Sequence, residues 1–354
     1  MWFPNAEVTV NPALLLLLGV MVGTLSGFFG VGGGFLITGG LLVFGVPPVF
    51  AVGTGLALIM GSSIINTLKH RHLGNVDLRL GRLMLVGTIP GVFRAEQLNS
   101  TLDEAGIIGP VIRYVYIVFL GVLGGFIIYD YLRLRSVAKT GGEEISTASL
   151  ARRIQGLRIP PHSVWLPGLG TIPTYVSLPV SGIERLSVFV PVVLGLGVGF
   201  FAGLLGAGGG FLLMPALIYG LGVPTTVAIG TDLFQIVVTG SWGTFIYALS
   251  HNVDPKMAII MLIAASVGSQ LGATATRFVE PARIRILFGV TILGGCAAVA
   301  LEQASTFSDR VEFLSTLAAV VLLSVAGAMC LTIGVLMIRA KREERTSASI
   351  GADD

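Results

Sequence analysis

The stretch "GFFGVGGGF" occupies residues 27–35, and "GLLGAGGGF" occupies residues 203–211. Seven Gly, Phe and Leu positions between 27 and 36 recur in the same places between 203 and 212. Each run breaks one of the most apolar parts of the chain, 12–44 and 188–221. The repetition continues outward. "GVP" at 45–47 returns at 222–224, "AVGT" at 51–54 returns as "AIGT" at 228–231, and "NVD" at 75–77 returns at 252–254, all displaced by 177 residues. The chain is therefore duplicated, with units at about 1–135 and 188–340.

Composition sets the class. Of 354 residues, 53% are hydrophobic and 12% charged, about half the charged fraction of a soluble domain, and the mean hydropathy is +0.88. The apolar stretches are near helix length and lack the alternation of an outer-membrane strand. The sequence thus predicts an all-α integral membrane protein of the cell (plasma or inner) membrane, crossing it many times. The net charge of +3 comes from basic residues in loops, where they orient helices, and not from a nucleic-acid face. Cys296 and Cys330 form no CxxC and read as small core residues. The opening "MWFPNAEV" has no basic n-region, so no cleaved signal peptide is expected.

Further apolar stretches lie at 49–68, 80–98, 110–132, 225–249, 256–279, 284–301 and 311–338. Loop charges orient them. Lys69, Arg71, Arg79 and Arg82 place the loop after 49–68 in the cytoplasm, and Asp103 and Glu104 mark the outer side. Arg133, Arg135, Lys139, Arg152 and Arg153 bring residues 133–187 back inside. In the second unit Arg277, Arg283 and Arg285 mark the inside, Glu302 and Asp309 the outside, and the basic tail after 338 the inside again. The first GVP is then outside and the second inside, so the units are inverted-topology repeats, an arrangement of secondary transporters. Residues 188–221 must begin and end on one side. They cannot hold two full spans of about 20 residues plus a turn, so a Gly-broken re-entrant hairpin is expected there and at 12–44, with three or four transmembrane helices following each.

A turn in mid-membrane exposes backbone N–H groups, which is costly unless they are buried in protein or line a polar cavity. Glycine permits the turn and a ligand's close approach. A half-helix starting at Phe35 or Phe211 would aim its N-terminus at the protein centre, where free N–H groups and the helix dipole favour an anion. The competing use of these glycines is close helix–helix packing. Gly32, Gly33 and Gly34, with Gly208, Gly209 and Gly210, are the expected substrate-binding residues. A dinucleotide fingerprint would need a preceding strand in a βαβ unit, and there is none.

Other candidates surround the turns. Asp232, in "GTDLFQ", is an acid within an apolar stretch, where such residues are often functional; it is assigned proton coupling, with a helix-start cap as the competing role. Its counterpart is Gly55. Gln235 lies on the same helix face. Thr54 and Thr231 are matched hydroxyls able to donate to an oxyanion or to bond their own helix backbone. Asn66 could line the cavity, although Gly243 stands opposite it in the repeat. Arg94 and Glu96 should pair with each other or snorkel. Asn75, Asp77, Asn252 and Asp254 read as caps and turn formers. His70, His72 and His251 lack metal-ligand spacing, and no hydrolase triad is present. No metal and no cofactor are expected. Residues 136–187, rich in Pro, Gly and Ser, form a cytoplasmic linker or small subdomain, in which "SVWLPG" and "TYVSLPV" are strand-like. Residues 341–354 form a cytoplasmic tail.

The stretch "SGFFGVGGGFLITGGLLVFGVPPVFAVGTGLALIMGSSIINTLKHRHLGNVDLRLG" (26–81) resembles the sulfite exporter TauE/SafE family, through its GxGGG turn, GVP, A-x-G-T segment and GNVD-type loop. Both copies are present, and the resemblance covers nearly the whole chain outside 133–187. It implies a membrane transporter, an exporter by the family's usual reading, of small anions such as sulfite, sulfoacetate and other organosulfur acids. Thr38 and Gly39 stand where the second copy has Met214 and Pro215, a proline the family often shows. The expected function is alternating-access export of a sulfur-containing anion, with protons as co-transported ion, the bilayer as solvent, a homodimer as assembly and no nucleic acid as partner. A passive anion channel, or a scaffold binding a soluble partner through 136–187, are the alternatives; catalysis is not expected.

Overall fold

The computed structural model describes residues 1–139, 146–156, 163–166, 170–206, 208–305 and 312–350. Asp309, Ala207, parts of 136–187 and the end of the tail lie outside the described residues. Among those described, the chain is helical apart from three two-stranded hairpins. Six helices are long and apolar enough to cross a membrane, and several carry unbroken outward stripes of large apolar side chains. On α5 (Ile108–Lys139) the stripe is Tyr114, Val118, Val122 and Phe126; on α10 (Pro255–Ala275) it is Ile259, Ile263, Val267 and Leu271. The four-residue spacing puts each set on one helix face. Water would not tolerate such patches, whereas lipid does, so this is a multi-pass membrane protein.

Helix α1 (Pro12–Phe29) stops at Gly30, whose φ is +76° and whose N–H donates to Ser26 O. Helix α2 (Gly34–Val43) starts after Gly33. In the second copy α7 (Phe189–Leu205) stops at Gly206, φ +64°, and α8 (Gly210–Pro215) follows Gly209. The breaks are thus narrower than the glycine-rich runs: helix persists through residues 27–29 and 203–205. Two successive glycines at positive φ (32–33 and 208–209) form each turn, a conformation side chains with a Cβ rarely adopt.

The remaining helices are α3 (Pro48–His72), α4 (Leu78–Glu104), α6 (Ser146–Gln155), α9 (Thr225–Leu249), α11 (Pro281–Ser305) and α12 (Glu312–Ile350). The last runs well into the charged tail. Between α8 and α9 lies a π-helix, Ala216–Gly220. It has a sequence cause. The glycine runs of the two copies are 176 residues apart, whereas the GVP turns are 177 apart. The second copy holds one extra residue between them, and a wider i→i+5 turn accommodates it. Pro215, which has no N–H to donate, precedes the widened turn.

Packing exchanges elements between the copies. α1 lies along α10, α4 lies along α7, α3 packs on α9, and α5 on α11. Small residues make the first two contacts. A methyl group on Gly23 would fall 2.2 Å from Ala265 O, and one on Gly199 would fall 2.4 Å from Thr88 O. Glycines at 19, 23 and 27 match those at 195, 199 and 203, so the close-packing role of glycine belongs to these helix arms, as in small-xxx-small contacts generally. The strand-like stretches are strands. β3 (Ser163–Leu166) pairs antiparallel with β4 (Gly170–Pro173), and β5 (Tyr175–Leu178) with β6 (Ile183–Ser187). A further hairpin, β1 (Trp2–Phe3) with β2 (Val8–Thr9), precedes α1 as β5–β6 precedes α7.

Candidate functional site

The two glycine turns meet at the centre of the protein. Methyl groups on Gly32 or Gly208 would each collide with the same two side chains, Ile59 and Ile236, and one on Gly210 would fall 2.6 Å from Val31 O. Ile59 and Ile236 are matched positions 177 residues apart, fully buried on α3 and α9. Gly33 and Gly209 pack instead against Val22 and Val198 on the preceding arms.

The helix end before the second turn is capped by side chains from across the protein. Gly203 O accepts from Tyr247 Oη at 3.1 Å, and Leu204 O from Asn99 Nδ2 at 3.1 Å. Leu205 O accepts from Tyr116 Oη at 2.7 Å, and Gly206 O from Thr38 Oγ1 at 3.2 Å. These are the carbonyls a helix end leaves without partners. At the first turn His70 Nε2 reaches Gly27 O at 3.3 Å. His70 and Tyr247 are matched residues, as are Gly27 and Gly203. Sequence reasoning assigned no role to Thr38, Asn99, Tyr116 or Tyr247. Only the 177-residue match of His70 to Tyr247 could have pointed to two of these contacts.

The predicted polar residues are distributed unequally. Asn66 donates to Ser26 Oγ at 3.1 Å and Ser269 Oγ at 3.3 Å, beside the last turns of α1. Gln235 donates through Nε2 to Thr88 Oγ1. Asp232 is fully buried, and neither carboxylate oxygen has a hydrogen-bond partner among the described residues. It lies about two turns into α9, which begins at Thr225, so a helix-start cap is not its role. Thr54 and Thr231 do not bond their own helices. Thr231 Oγ1 accepts from Asp77 N, and Thr54 Oγ1 from Asp254 N, both at 2.9 Å. Each Asp in turn caps a helix: Asp77 Oδ1 accepts from Arg79 N and Leu80 N, and Asp254 Oδ1 from Met257 N. Each NVD loop is thus fastened to the other copy's A-x-G-T segment. Arg94 and Glu96 do not pair with each other; Arg94 donates to Gln97, and Glu96 accepts from Ser100 and Ser250. No group of three or more metal-binding side chains occurs among the described residues.

Residues 15–301 match the family described as "Sulfite exporter TauE/SafE". The chain belongs to that family. Among curated relatives of this TauE/SafE protein, a "Probable membrane transporter protein", YunE, of Bacillus subtilis is 25% identical over 295 residues, covering 81% of this chain and 96% of its own length. Another of that description in Methanocaldococcus jannaschii is 24% identical, covering 79% of this chain and 92% of its own. One from Xylella fastidiosa is 27% identical, with coverages of 73% and 83%. No solved structure matches. The TauE/SafE chain is accordingly a membrane transporter.

Proposed function

We propose that this TauE/SafE protein moves a small sulfur-containing oxyanion, such as sulfite or an organosulfonate, across the membrane by alternating access, in the export direction. The observation that carries the reading is the meeting of two glycine turns over the single pair Ile59 and Ile236. Residues 1–135 and 188–340 act as the two inverted repeats, with 136–187 between them and 341–354 as a tail. Backbone N–H groups of Gly32–Gly34 and Gly208–Gly210 hold the anion, and the hydroxyl protons of Thr54 and Thr231, with Gln235 and Asn66, complete its surroundings. In this structure the isoleucine pair fills the space against the turns, so the anion enters as α3 and α9 shift and carry Ile59 and Ile236 aside. The exchange of packing partners between copies suits a rocking of one repeat against the other. Asp232 carries the coupled proton.

Purified protein in liposomes tests this. Sulfite, sulfoacetate and sulfate flux is measured with and without an imposed proton gradient. Uphill sulfite or sulfoacetate movement driven by the gradient is expected. Flux that only runs downhill would make the protein a channel, and the absence of any anion flux would overturn the substrate class.

A further inference from the structure

We propose that the depression between the start of α4 and strand β5 is a second oxyanion site, separate from the glycine turns, in which Arg79 and Arg82 hold a sulfate-like or phosphate-like group. Its role in gathering the transported anion rests on the function proposed above; the binding itself does not. The depression has a volume of about 600 Å³ and is lined by Arg79, Arg82, Leu83, Tyr175, Val176 and Ser177. Arg79 and Arg82 are three apart on α4 and so share a face. Arg82 spends only Nε, on Leu78 O at 3.1 Å, which leaves the terminal N–H groups of its guanidinium for a ligand. Neither arginine forms an ion pair among the described residues. Arg185 adds a third cation at the rim, stacked 4.3 Å above the Tyr175 ring that lines the depression.

Among the described residues, the start of α4 and the β5–β6 hairpin that form the depression carry two acids, Asp77 just before α4 and Glu184 on β6. Asp77 is committed to the α4 cap through Oδ1, and its Oδ2 accepts from Ser181 Oγ at 2.7 Å. Glu184 is exposed on β6. Among these described residues three guanidinium groups stand against two carboxylates, and a guanidinium fork matches an oxyanion bidentately. The other end of the protein differs. There a depression of about 530 Å³ beside the N-terminal hairpin is lined by Asn5, Phe50 and His251 among others, with no arginine or lysine. The positions on α10 that match Arg79 and Arg82 are Lys256 and Ile259. The arginine-lined depression therefore attracts anions more strongly than the one at the other end. A phospholipid phosphate presents the same chemistry as a free oxyanion, so the two sources must be separated by experiment.

The full-length protein in discs of neutral phosphatidylcholine is treated with phenylglyoxal, and arginine modification is mapped by peptide mass spectrometry. Millimolar sulfate or sulfite, against a chloride control of equal ionic strength, should slow modification of Arg79 and Arg82 several-fold while leaving Arg71 and Arg277 unchanged. Protection that appears without soluble oxyanion in discs containing phosphatidylglycerol assigns the site to a lipid headgroup. Equal modification rates under all these conditions would overturn the proposal. In liposomes where sulfite flux is measurable, Arg79→Gln with Arg82→Gln should raise KM from the face carrying these residues and leave KM from the opposite face unchanged, with Arg82→Lys intermediate. A wild type that carries no anion would sink the transport reading, yet the protection experiment would still report on the site.

Discussion

Asp232 and Gly55 are matched residues, and the difference between them is the sharpest chemical asymmetry between the copies. A methyl group on Gly55 would meet Thr38 Oγ1 at 3.0 Å and Gly206 O at 3.3 Å, so one polar atom from each copy faces the position where Gly55 has no side chain. The second copy puts a carboxyl in the matching place with no hydrogen-bond partner among the described residues. Unpartnered buried polar groups are costly and call for an explanation; the proton carriage proposed above would supply one. Asp232→Asn keeps the shape and removes the titration. It should leave sulfite binding close to wild type and flatten the pH dependence of flux in liposomes. An unchanged pH profile would make Asp232 structural. Thr54 and Thr231 invite a different measurement. Thr231→Val strips Asp77 N of its acceptor and Thr54→Val does the same to Asp254 N. Each should cost about 1–3 kcal/mol, read as a lowered midpoint of unfolding in detergent, with the serine variants restoring most of it. If both valine variants unfold like wild type, the loops are held by something else.

At the scale of elements, the two short hairpins work as clasps on the NVD loops. Asn5, in the turn of the first, donates to Val253 O at 3.4 Å. Ser181, in the turn of the second, donates to Asp77 Oδ2 at 2.7 Å. Each hairpin leads directly into a glycine-broken helix pair and holds the loop that opens that pair's packing partner, α10 for α1 and α4 for α7. Ser181→Ala should therefore speed backbone hydrogen exchange across residues 175–187 and leave exchange in α7 unchanged. Hairpin exchange at the wild-type rate would remove the clasp. These elements also mark what could be read in advance. The helix breaks, the GVP turns and the caps at Asp77 and Asp254 were legible, because glycine, proline and aspartate act on their own few residues of backbone. The N-terminal hairpin was not, since two-residue strands leave no periodicity. The π-helix was half visible. The change of spacing shows that a residue is added, but not whether a loop or a helix absorbs it. The carbonyl caps from Asn99, Tyr116 and Thr38 join residues 89 to 168 apart in sequence, and no local signal encodes them.

At the scale of the whole molecule, the question is which end faces the cytoplasm. Segments assigned inside by their charge gather at one end. Ser181 bonds to Asp77, and Gln155 on α6 donates to Leu221 O at 2.8 Å, fixing residues after 133 against the second GVP turn. The N-terminal hairpin is bonded to the other NVD loop. Helix α4, with 27 residues, spans about 40 Å at 1.5 Å per residue, enough to carry Arg71 and Asp103 to opposite faces of a bilayer core of about 30 Å. Both residues are exposed, which makes them fit for chemical labelling. With Cys296 and Cys330 replaced by alanine, single cysteines at Arg71→Cys and Asp103→Cys can be treated in intact cells with a membrane-impermeant maleimide. Asp103→Cys should label, and Arg71→Cys should label only after the membrane is opened. In the second copy the order should invert: a cysteine at exposed His251 should label from outside, although it lies in the loop corresponding to that of Gly74, while one at Arg277 should not. The inversion is the decisive part. If His251→Cys and Arg71→Cys label from the same side, the two copies run parallel. The glycine turns would then enter from one face, and a site alternately open to both sides could not be built from them.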